Sequence, residues 1–148
     1  MKTNYKGWLN TLFIIVFLVV AFIVVQNIWT GEESRVKKTL RSIERAVERR
    51  DIVGCMWHIA SDYSDDLGMD YQGVAFFLKS IFETYNNISV TIKDMKIDVR
   101  DNRSVVSFVA DIRATGGPQY EAGNSRFNVS LRKEGSVWKV YRVELEER

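Results

Sequence analysis

The sequence predicts an α+β protein in which an N-terminal transmembrane helix is followed by three helices packed on a curved antiparallel sheet. Three observations support this order. Positions 12–25 are uniformly apolar, apolar residues then recur at steps of three and four as far as residue 85, and from residue 87 they recur at steps of two. Steps of three and four are typical of amphipathic helices, whereas steps of two are typical of strands.

Length and charge narrow the class of protein. The 148 residues leave room for one domain after the apolar run, and 46% hydrophobic residues with a single proline indicate an ordered chain. The formal net charge is +2, and beyond residue 30 there are 19 basic and 19 acidic residues. This balance argues against nucleic-acid binding, which depends on an excess of basic residues. Cys55 is the only cysteine, so no intramolecular disulfide can form.

The apolar run LFIIVFLVVAFIVV, residues 12–25, lies between Trp8 and Trp29. From one tryptophan to the other are 22 residues, which as a helix span about 33 Å and match a hydrocarbon core of about 30 Å with an indole ring at each interface. We therefore expect a short tail over 1–7, a transmembrane helix over 8–29 and a folded domain over 30–148. A cleaved signal peptide is the alternative, but the residues that follow, QNIWTGEE, lack the small-x-small cleavage pattern.

The orientation of this helix follows from the flanking charges. Lys2 and Lys6 favour a cytoplasmic N-terminus, whereas Arg35 and Lys37 on the other side weigh against it. We expect the N-terminus in the cytoplasm and the domain on the outer, periplasmic or extracellular, side, because a short basic tail before an apolar run resembles an export signal.

The first helix of the domain is expected to begin at Thr30, which has capping-box spacing to Glu33. Its apolar face comprises Val36, Leu40, Ile43 and Val47. The opposite face carries Lys37, Arg41, Glu44, Arg45 and Glu48. That charged face is interpreted as a solvated surface, with a basic patch for lipid headgroups as the alternative.

Two further helices are predicted by their caps. Asp51 is a good N-cap for a short helix with an apolar stripe of Ile52, Cys55, Met56 and Ile59. Asp70 caps a third helix whose apolar side comprises Val74, Phe77, Leu78, Ile81, Phe82 and Tyr85. No strand is expected before residue 87.

Strands occupy the remainder of the chain. In NISVTIKDMKIDVR the apolar phase changes after Ile92, which predicts either two short strands or one strand bent at Lys93 and Asp94. The next strand places Val106, Phe108, Ala110, Ile112 and Ala114 on one face. RFNVSLR alternates through Phe127, Val129 and Leu131, and after the turn KEGS the segment VWKVYRVEL forms the last strand.

The order of elements, with AVERRDIVGCMWHIASDY near the start and LRKEGSVWKVYRVEL at the end, resembles the nuclear-transport-factor-two-like superfamily, also called cystatin-like or cone-fold domains. The resemblance covers residues 32–146. It implies a sheet bent around the helices into a cone with a pocket at its open end. Members include enzymes, such as ketosteroid isomerase and scytalone dehydratase, as well as non-catalytic transport factors and secretion-system assembly subunits, so the fold alone does not choose a function.

The candidate catalytic residues are His58, Asp62 and Asp111. On a helix, His58 and Asp62 are i,i+4 neighbours, and the pair could act as a general base oriented by the carboxylate. The alternative is a partly buried histidine that only hydrogen-bonds its surroundings. Asp111 lies between Ala110 and Ile112 in a predicted strand, so strand alternation places it on the opposite face, toward solvent. The alternative is that the concave face of the sheet is the one that carries Asp111. Asp111 would then form a polar pocket floor with Tyr63 or Tyr141.

Aromatic residues supply the candidate ligand pocket, for which Trp57, Tyr63, Phe77 and Tyr141 are the predicted lining. No metal site is predicted, because Cys55 and His58 lack a second pair of ligands and the acids between Asp62 and Asp70 lack the calcium-loop pattern. Cys55 is expected to be a small buried hydrophobe and not a nucleophile. Nothing in the sequence indicates a cofactor.

The functional hypothesis is a membrane-anchored, non-catalytic binding or assembly module of the cell envelope. Its expected partners are a protein in the same membrane or a second copy of the chain, because a shared membrane raises effective concentration. The alternative is a carrier of a small apolar molecule or lipid, or an isomerase- or dehydratase-like enzyme, that uses the cone pocket.

Overall fold

A computed structural model describes the backbone of residues 5–146 and the side chains of residues 13–25 and 31–146. The chain forms two compact units, Met1–Glu32 and Glu33–Arg148. Helix α1 extends over Tyr5–Glu48 and contributes to both units. The second unit also contains α2 (Ile52–Trp57), β1 (Ile59–Asp65), α3 (Tyr71–Thr84), β2 (Asn87–Arg100), β3 (Arg103–Thr115), β4 (Glu121–Glu134) and β5 (Val137–Glu146).

The described part of the first unit is helical, and it contains the apolar run of residues 12–25. Its large apolar side chains between Phe13 and Val25 are 50–73% exposed. Within the residues that the structure describes, no helix combines the length and the apolar composition needed to cross a membrane. The predicted interface residues Trp8 and Trp29 lie outside the described side chains.

The helix starts predicted at Asp51 and Asp70 are confirmed, and the start predicted at Thr30 is wrong. Asp51 accepts a hydrogen bond from the Gly54 amide at 2.9 Å, and Asp70 accepts one from the Gly73 amide at 2.8 Å. Thr30 instead lies inside α1. A helix that already continues from the preceding turn leaves no free amide for a cap to satisfy.

The five strands form one sheet in the order β1-β5-β4-β3-β2. Neighbours from β2 to β5 are antiparallel, as predicted, but β1 pairs with β5 in parallel. The prediction of a wholly antiparallel sheet, and of no strand before residue 87, is therefore wrong. The segment IASDYSD lacks regular alternation of apolar and polar residues, and it becomes a strand because β5 supplies its hydrogen-bonding partner.

Strand β1 also shortens α2. Ile59, predicted to continue the apolar stripe of that helix, pairs with Val140 as the first residue of β1. His58 is the C-cap of α2, and its carbonyl accepts a hydrogen bond from the Val140 amide at 2.8 Å. The spacing of Ile59 fits a helix, but the edge of β5 determines its backbone conformation.

Of the two alternatives left open for residues 87–100, the single bent strand is the one that forms, as β2. The pairing of β2 with β3 shifts register between Lys93 and Lys96, and Asp94 has φ 53°. A residue inserted on one strand increases the local twist and curves the sheet. The bend lies at the Lys93–Asp94 step that the phase change predicted.

The core lies between the helices and one face of the curved sheet. Val36 and Leu40 of α1 pack with Val106, Leu131 and Trp138 of the sheet, and all five are at most 4% exposed. Phe108 and Phe127 bring their ring centroids to 5.8 Å on the same face. The α+β class, with helices covering one face of a curved sheet, is confirmed.

Candidate functional site

An apolar cavity of about 310 Å³ lies between α1, α3 and the core face of the sheet. Residues from β2, β3, β4 and β5 form its floor, and α1 and α3 cover it. Its lining comprises Leu40, Ile43, Glu44, Val47, Ile59, Phe77, Leu78, Ile81, Phe82, Ile88, Val90, Ile92, Phe108, Ala110, Ile112, Phe127, Val129, Val140 and Val143.

The sequence creates this space by placing a small residue in the middle of the sheet. Ala110 lies on the inward phase of β3, between Phe108 and Ile112, and is paired with Ile92 on one side and Ser125 on the other. Its side chain ends at Cβ, so the volume that a leucine or phenylalanine would fill stays open. The bend of β2 at Asp94 curves the sheet in the same region.

Two partly exposed residues indicate the mouth of the cavity. Phe77 of α3 is 48% exposed and Ile112 of β3 is 40% exposed, although both line the cavity. Their apolar surface therefore faces both the cavity and solvent. Phe77, predicted as a pocket residue, is part of the lining.

Glu44 is the only ionisable residue among the described residues that line the cavity. Arg41 donates a hydrogen bond from Nη1 to Glu44 Oε2 at 2.7 Å, and the Glu44 side chain is 14% exposed. The expectation that Glu44 belongs to the solvated face of its helix is therefore wrong. Its spacing to Leu40 and Val47, at steps of four and three, was the signal that it shares their face.

The predicted dyad of His58 and Asp62 does not form as a helical pair, because β1 begins between the two residues. Asp62 instead accepts two hydrogen bonds from Arg132, from Nη1 to Oδ2 at 3.0 Å and from Nη2 to Oδ1 at 2.7 Å. The hydrogen bond from Arg132 lowers the pKa of the Asp62 carboxyl. Neither His58 nor Asp62 lines the cavity.

His58 borders a separate, small depression with Ser42, Arg45, Arg49 and Asp51. Its Nδ1 is buried and has no hydrogen-bond partner in the part of the chain that the structure describes. Burial lowers the pKa of the imidazole, and the nearby Lys139 ammonium lowers it further. The histidine is therefore neutral near pH 7.

Asp111 lies on the face of the sheet opposite the cavity. It forms ion pairs with Lys93 at 3.8 Å and with Arg113 at 3.7 Å, and its neighbours Ala110 and Ile112 point into the cavity. The solvent-facing alternative predicted by strand alternation is the one that forms. Asp111 does not form a pocket floor with Tyr63 or Tyr141.

The other three predicted pocket aromatics lie away from the cavity. Trp57 is 62% exposed and lies beneath the Lys139 ammonium, whose nitrogen is 5.5 Å from the ring centroid. Tyr63 is buried in the core and donates a hydrogen bond to Asp65 at 2.9 Å. Tyr141 accepts a hydrogen bond from Arg103 at 3.2 Å. Of the four aromatic residues predicted to line the pocket, only Phe77 does so.

Cys55 is buried in the core, and Asp65 holds the turn before α3. Burial, followed by the charge of Asp51, raises the pKa of the Cys55 thiol to about 11. Asp65 accepts hydrogen bonds from the amides of Leu67 and Met69, both at 2.9 Å, and holds the turn before α3. Cys55 packs with Ala46 and Phe82 and is 2% exposed, which is the environment of a small buried hydrophobe.

No protein-family profile matches the sequence, and comparison with curated proteins gives no match. Solved structures do resemble it. A protein of Novosphingobium aromaticivorans, named as a proposed scytalone dehydratase, has a TM-score of 0.72 and 13% identity over 79% of this chain and 84% of that chain. A proposed dehydratase of the NTF2-like family from Streptomyces avermitilis has a TM-score of 0.70 and 13% identity over 78% of this chain and 95% of that chain.

A third similar structure is an NTF2-like superfamily protein from Salmonella enterica, with a TM-score of 0.68 and 13% identity over 79% of this chain and 91% of that chain. Identities of this size show a shared fold and nothing finer. The cone fold, NTF2-like or cystatin-like, is thereby confirmed.

Proposed function

We propose that this chain is a membrane-anchored domain that binds a small apolar molecule in the cavity of its cone fold without acting on it chemically. The observation that carries the proposal is the lining of the cavity, in which Glu44 is the only ionisable residue among the described ones. The proposed function keeps the non-catalytic binding role expected from the sequence. From the alternatives, it takes the carrier of a small apolar molecule.

The size of the cavity supports a ligand. Its volume of about 310 Å³ lies at the lower end of the range of about 300–1,000 Å³ typical of small-molecule pockets. An unfilled space of this size lowers stability, because the surrounding side chains lose packing partners. A ligand that restores those contacts stabilises the folded state in proportion to its concentration and affinity.

The positions of the acid–base groups favour binding over catalysis. A general base must reach the reacting atom within hydrogen-bond distance. His58, Asp62 and Asp111 are all absent from the lining. A ligand enclosed by the cavity therefore meets none of the three residues that were the first candidates for proton transfer.

A dehydratase-like reaction is the second candidate, favoured by the names of two similar structures. In this chain the reaction would have to use Glu44 as its acid or base, since no other ionisable group belongs to the described lining. Glu44→Gln would then abolish turnover of a bound substrate and leave its binding within a few fold. Full turnover by Glu44→Gln would remove this candidate.

We also propose that the apolar run anchors the domain in a membrane. The support is the sequence LFIIVFLVVAFIVV and the exposure of its side chains, 73% for Phe17 and 61% for Leu18. Exposed apolar surface of this extent is costly in water and favourable in hydrocarbon. The N-terminus would then be cytoplasmic and the domain outside, where a protein of the same membrane or a second copy is the expected partner.

Native mass spectrometry of the full chain in lipid nanodiscs tests the ligand. We expect an extra mass on the wild-type protein and on Val105→Phe, because Val105 is 51% exposed and does not line the cavity. Ala110→Phe should lose that mass, since the new ring fills the cavity. Equal retention of the mass by both variants would show that the ligand binds elsewhere, and a wild-type protein without any added mass, even after incubation with a panel of apolar compounds, would reject the proposal.

Extraction of membranes with alkaline carbonate tests the anchor. The wild-type chain should stay in the membrane pellet, whereas Val16→Arg with Val20→Arg should appear in the supernatant, because two charges at the middle of a span are expensive. Val53→Arg is the matched control, since Val53 is 79% exposed on α2. Release of the wild-type chain by carbonate would contradict the anchor.

A further inference from the structure

Glu44 and Arg41 form a polar rim beside an otherwise apolar cavity. Glu44 belongs to the lining, yet its side chain is 14% exposed and that of Arg41 is 36% exposed. The carboxylate therefore lies at the boundary between the cavity and solvent. This pair is the only place around the described lining where a ligand meets a charged group.

One oxygen of Glu44 is already engaged and the other is available. Arg41 Nη1 donates to Oε2 at 2.7 Å, while no described residue donates to Oε1. Arg41 has further N–H groups on its guanidinium, because a guanidinium carries five donors. The pair thus offers an acceptor and donors side by side.

The balance of charge at this rim discriminates between head groups. The carboxylate and the guanidinium neutralise each other, so an ammonium or a carboxylate on the ligand would lose its water without gaining a net opposite charge. A hydroxyl group avoids that cost. It can donate to Glu44 Oε1 and accept from Arg41, which satisfies both of its hydrogen-bonding functions.

We infer that the ligand is an amphipathic molecule with an apolar body that fills the cavity and a neutral hydroxyl, or an equivalent donor–acceptor group, that binds the Glu44–Arg41 pair at the rim. This inference rests on the proposed function, because it assigns chemistry to the ligand of the same cavity. It makes Glu44 a specificity-determining residue that selects the head group of the ligand.

Three naphthalene probes separate the apolar body from the head group. 2-Naphthalenemethanol carries a hydroxyl, 2-ethylnaphthalene replaces it with a methyl group of similar size, and 2-naphthoate carries a negative charge. Each is titrated into the full chain in nanodiscs while the methyl NMR signals of Ile43, Ile81 and Ile112, which line the cavity, are followed. Partition of a probe into lipid is the same for every variant, so it cancels when one probe is compared between variants. When two probes are compared, titrations of empty nanodiscs correct each affinity for partition.

Glu44→Leu is the test variant and Glu83→Leu its control. Glu83 lies on α3, is exposed, and pairs only loosely with Lys79 at 3.9 Å. For 2-naphthalenemethanol, Glu44→Leu should weaken binding at least tenfold, because a hydrogen bond to a charged group is lost. The affinity of Glu44→Leu for 2-ethylnaphthalene should stay the same or rise. In the wild-type protein, 2-naphthoate should bind more weakly than the alcohol. Glu83→Leu should match the wild-type protein with all three probes.

The outcomes distinguish this inference from the proposed function. If 2-ethylnaphthalene shifts the cavity methyl signals but Glu44→Leu weakens the alcohol and the hydrocarbon equally, the cavity binds apolar molecules and the assignment of Glu44 is wrong. Tighter binding of 2-naphthoate than of the alcohol would also overturn the neutral head group. If none of the probes shifts those signals in a folded wild-type protein, the proposed function itself fails.

Discussion

Arg132 binds both carboxylate oxygens of Asp62 across 70 residues of sequence. Arg132 lies on β4 and Asp62 on β1, and β5 runs between these two strands. The guanidinium lies 5.5 Å from the ring centroid of Tyr141, which belongs to β5. The ion pair thus connects two strands that share no backbone hydrogen bonds and fixes β1 to the sheet from the solvent side.

Asp62→Asn should reduce stability near pH 7 and have no effect in strong acid. Because the pKa of Asp62 is lowered in the folded state, its contribution is present above the unfolded value of about 3.9 and disappears as the pH falls through the folded value. Urea denaturation of the wild-type protein and the variant at a series of pH values measures this. Asp98→Asn is the control, since the Asp98 side chain is 63% exposed and pairs with Arg100 only at 3.5 Å. A difference for Asp62→Asn that persists at the lowest pH would contradict the assignment.

Leu131→Ala should destabilise the domain by about 2–5 kcal/mol, because it leaves a cavity at a fully buried position. Leu131 is 0% exposed on the core face of β4. Val105→Ala on the exposed face of β3 should change stability by no more than about 0.5 kcal/mol. Equal losses for the two variants in denaturant titrations would show that the two faces of the sheet are assigned incorrectly.

Asp70→Ala should destabilise the domain by about 1 kcal/mol through the loss of the N-cap of α3. Asparagine accepts the same amide hydrogen bond, so Asp70→Asn should retain most of the stability. Thermal unfolding followed by circular dichroism compares the two. An equal loss for asparagine and alanine would mean that the charge of Asp70, and not its capping bond to Gly73, stabilises the start of α3.

Cys55 should resist alkylation in the folded protein. Its thiol is buried and has its pKa raised to about 11, so little thiolate exists at pH 8. Mass spectrometry after exposure to iodoacetamide should show complete modification in urea and almost none without it. Rapid modification of the folded chain at pH 8 would disagree with this environment.

His58 should titrate below the ordinary value of about 6.5, because burial and Lys139 disfavour its charged form. Protonation then favours the unfolded state, so stability contributed by neutral His58 declines as the pH falls below the unfolded value. His58 is the only histidine, and its ring protons therefore give one unambiguous NMR titration. A midpoint at or above 6.5 would contradict the burial.

The elements that the sequence predicts well are those with a local cause. Asp51 and Asp70 cap helices through their own neighbouring amides, and the phase change after Ile92 marks the bend of β2. The strand β1 has no such local cause, because its partner β5 lies about eighty residues further along the chain. Its sequence therefore gave no regular period to detect.

Sequence patterns did not predict the lining of the cavity, for a similar reason. An empty volume depends on the distance between α1, α3 and the sheet, which residue spacing does not specify. The predicted pocket residues were chosen for aromatic or acid–base character, and of these Phe77 alone belongs to the described lining. Glu44 could have been identified, since it follows Leu40 by four residues and precedes Val47 by three.

The parallel pairing of β1 with β5 has a consequence for biosynthesis. A ribosome synthesises β1 long before β5. The backbone amide and carbonyl groups of β1 that pair with β5 therefore have no strand partner while most of the domain is being made. Contacts between distant segments of a chain form slowly, and strand edges exposed in the meantime are prone to aggregation. The edge of β1 should therefore stay exposed until β5 inserts between β1 and β4, and truncation before Val137 should leave β1 without its place in the sheet.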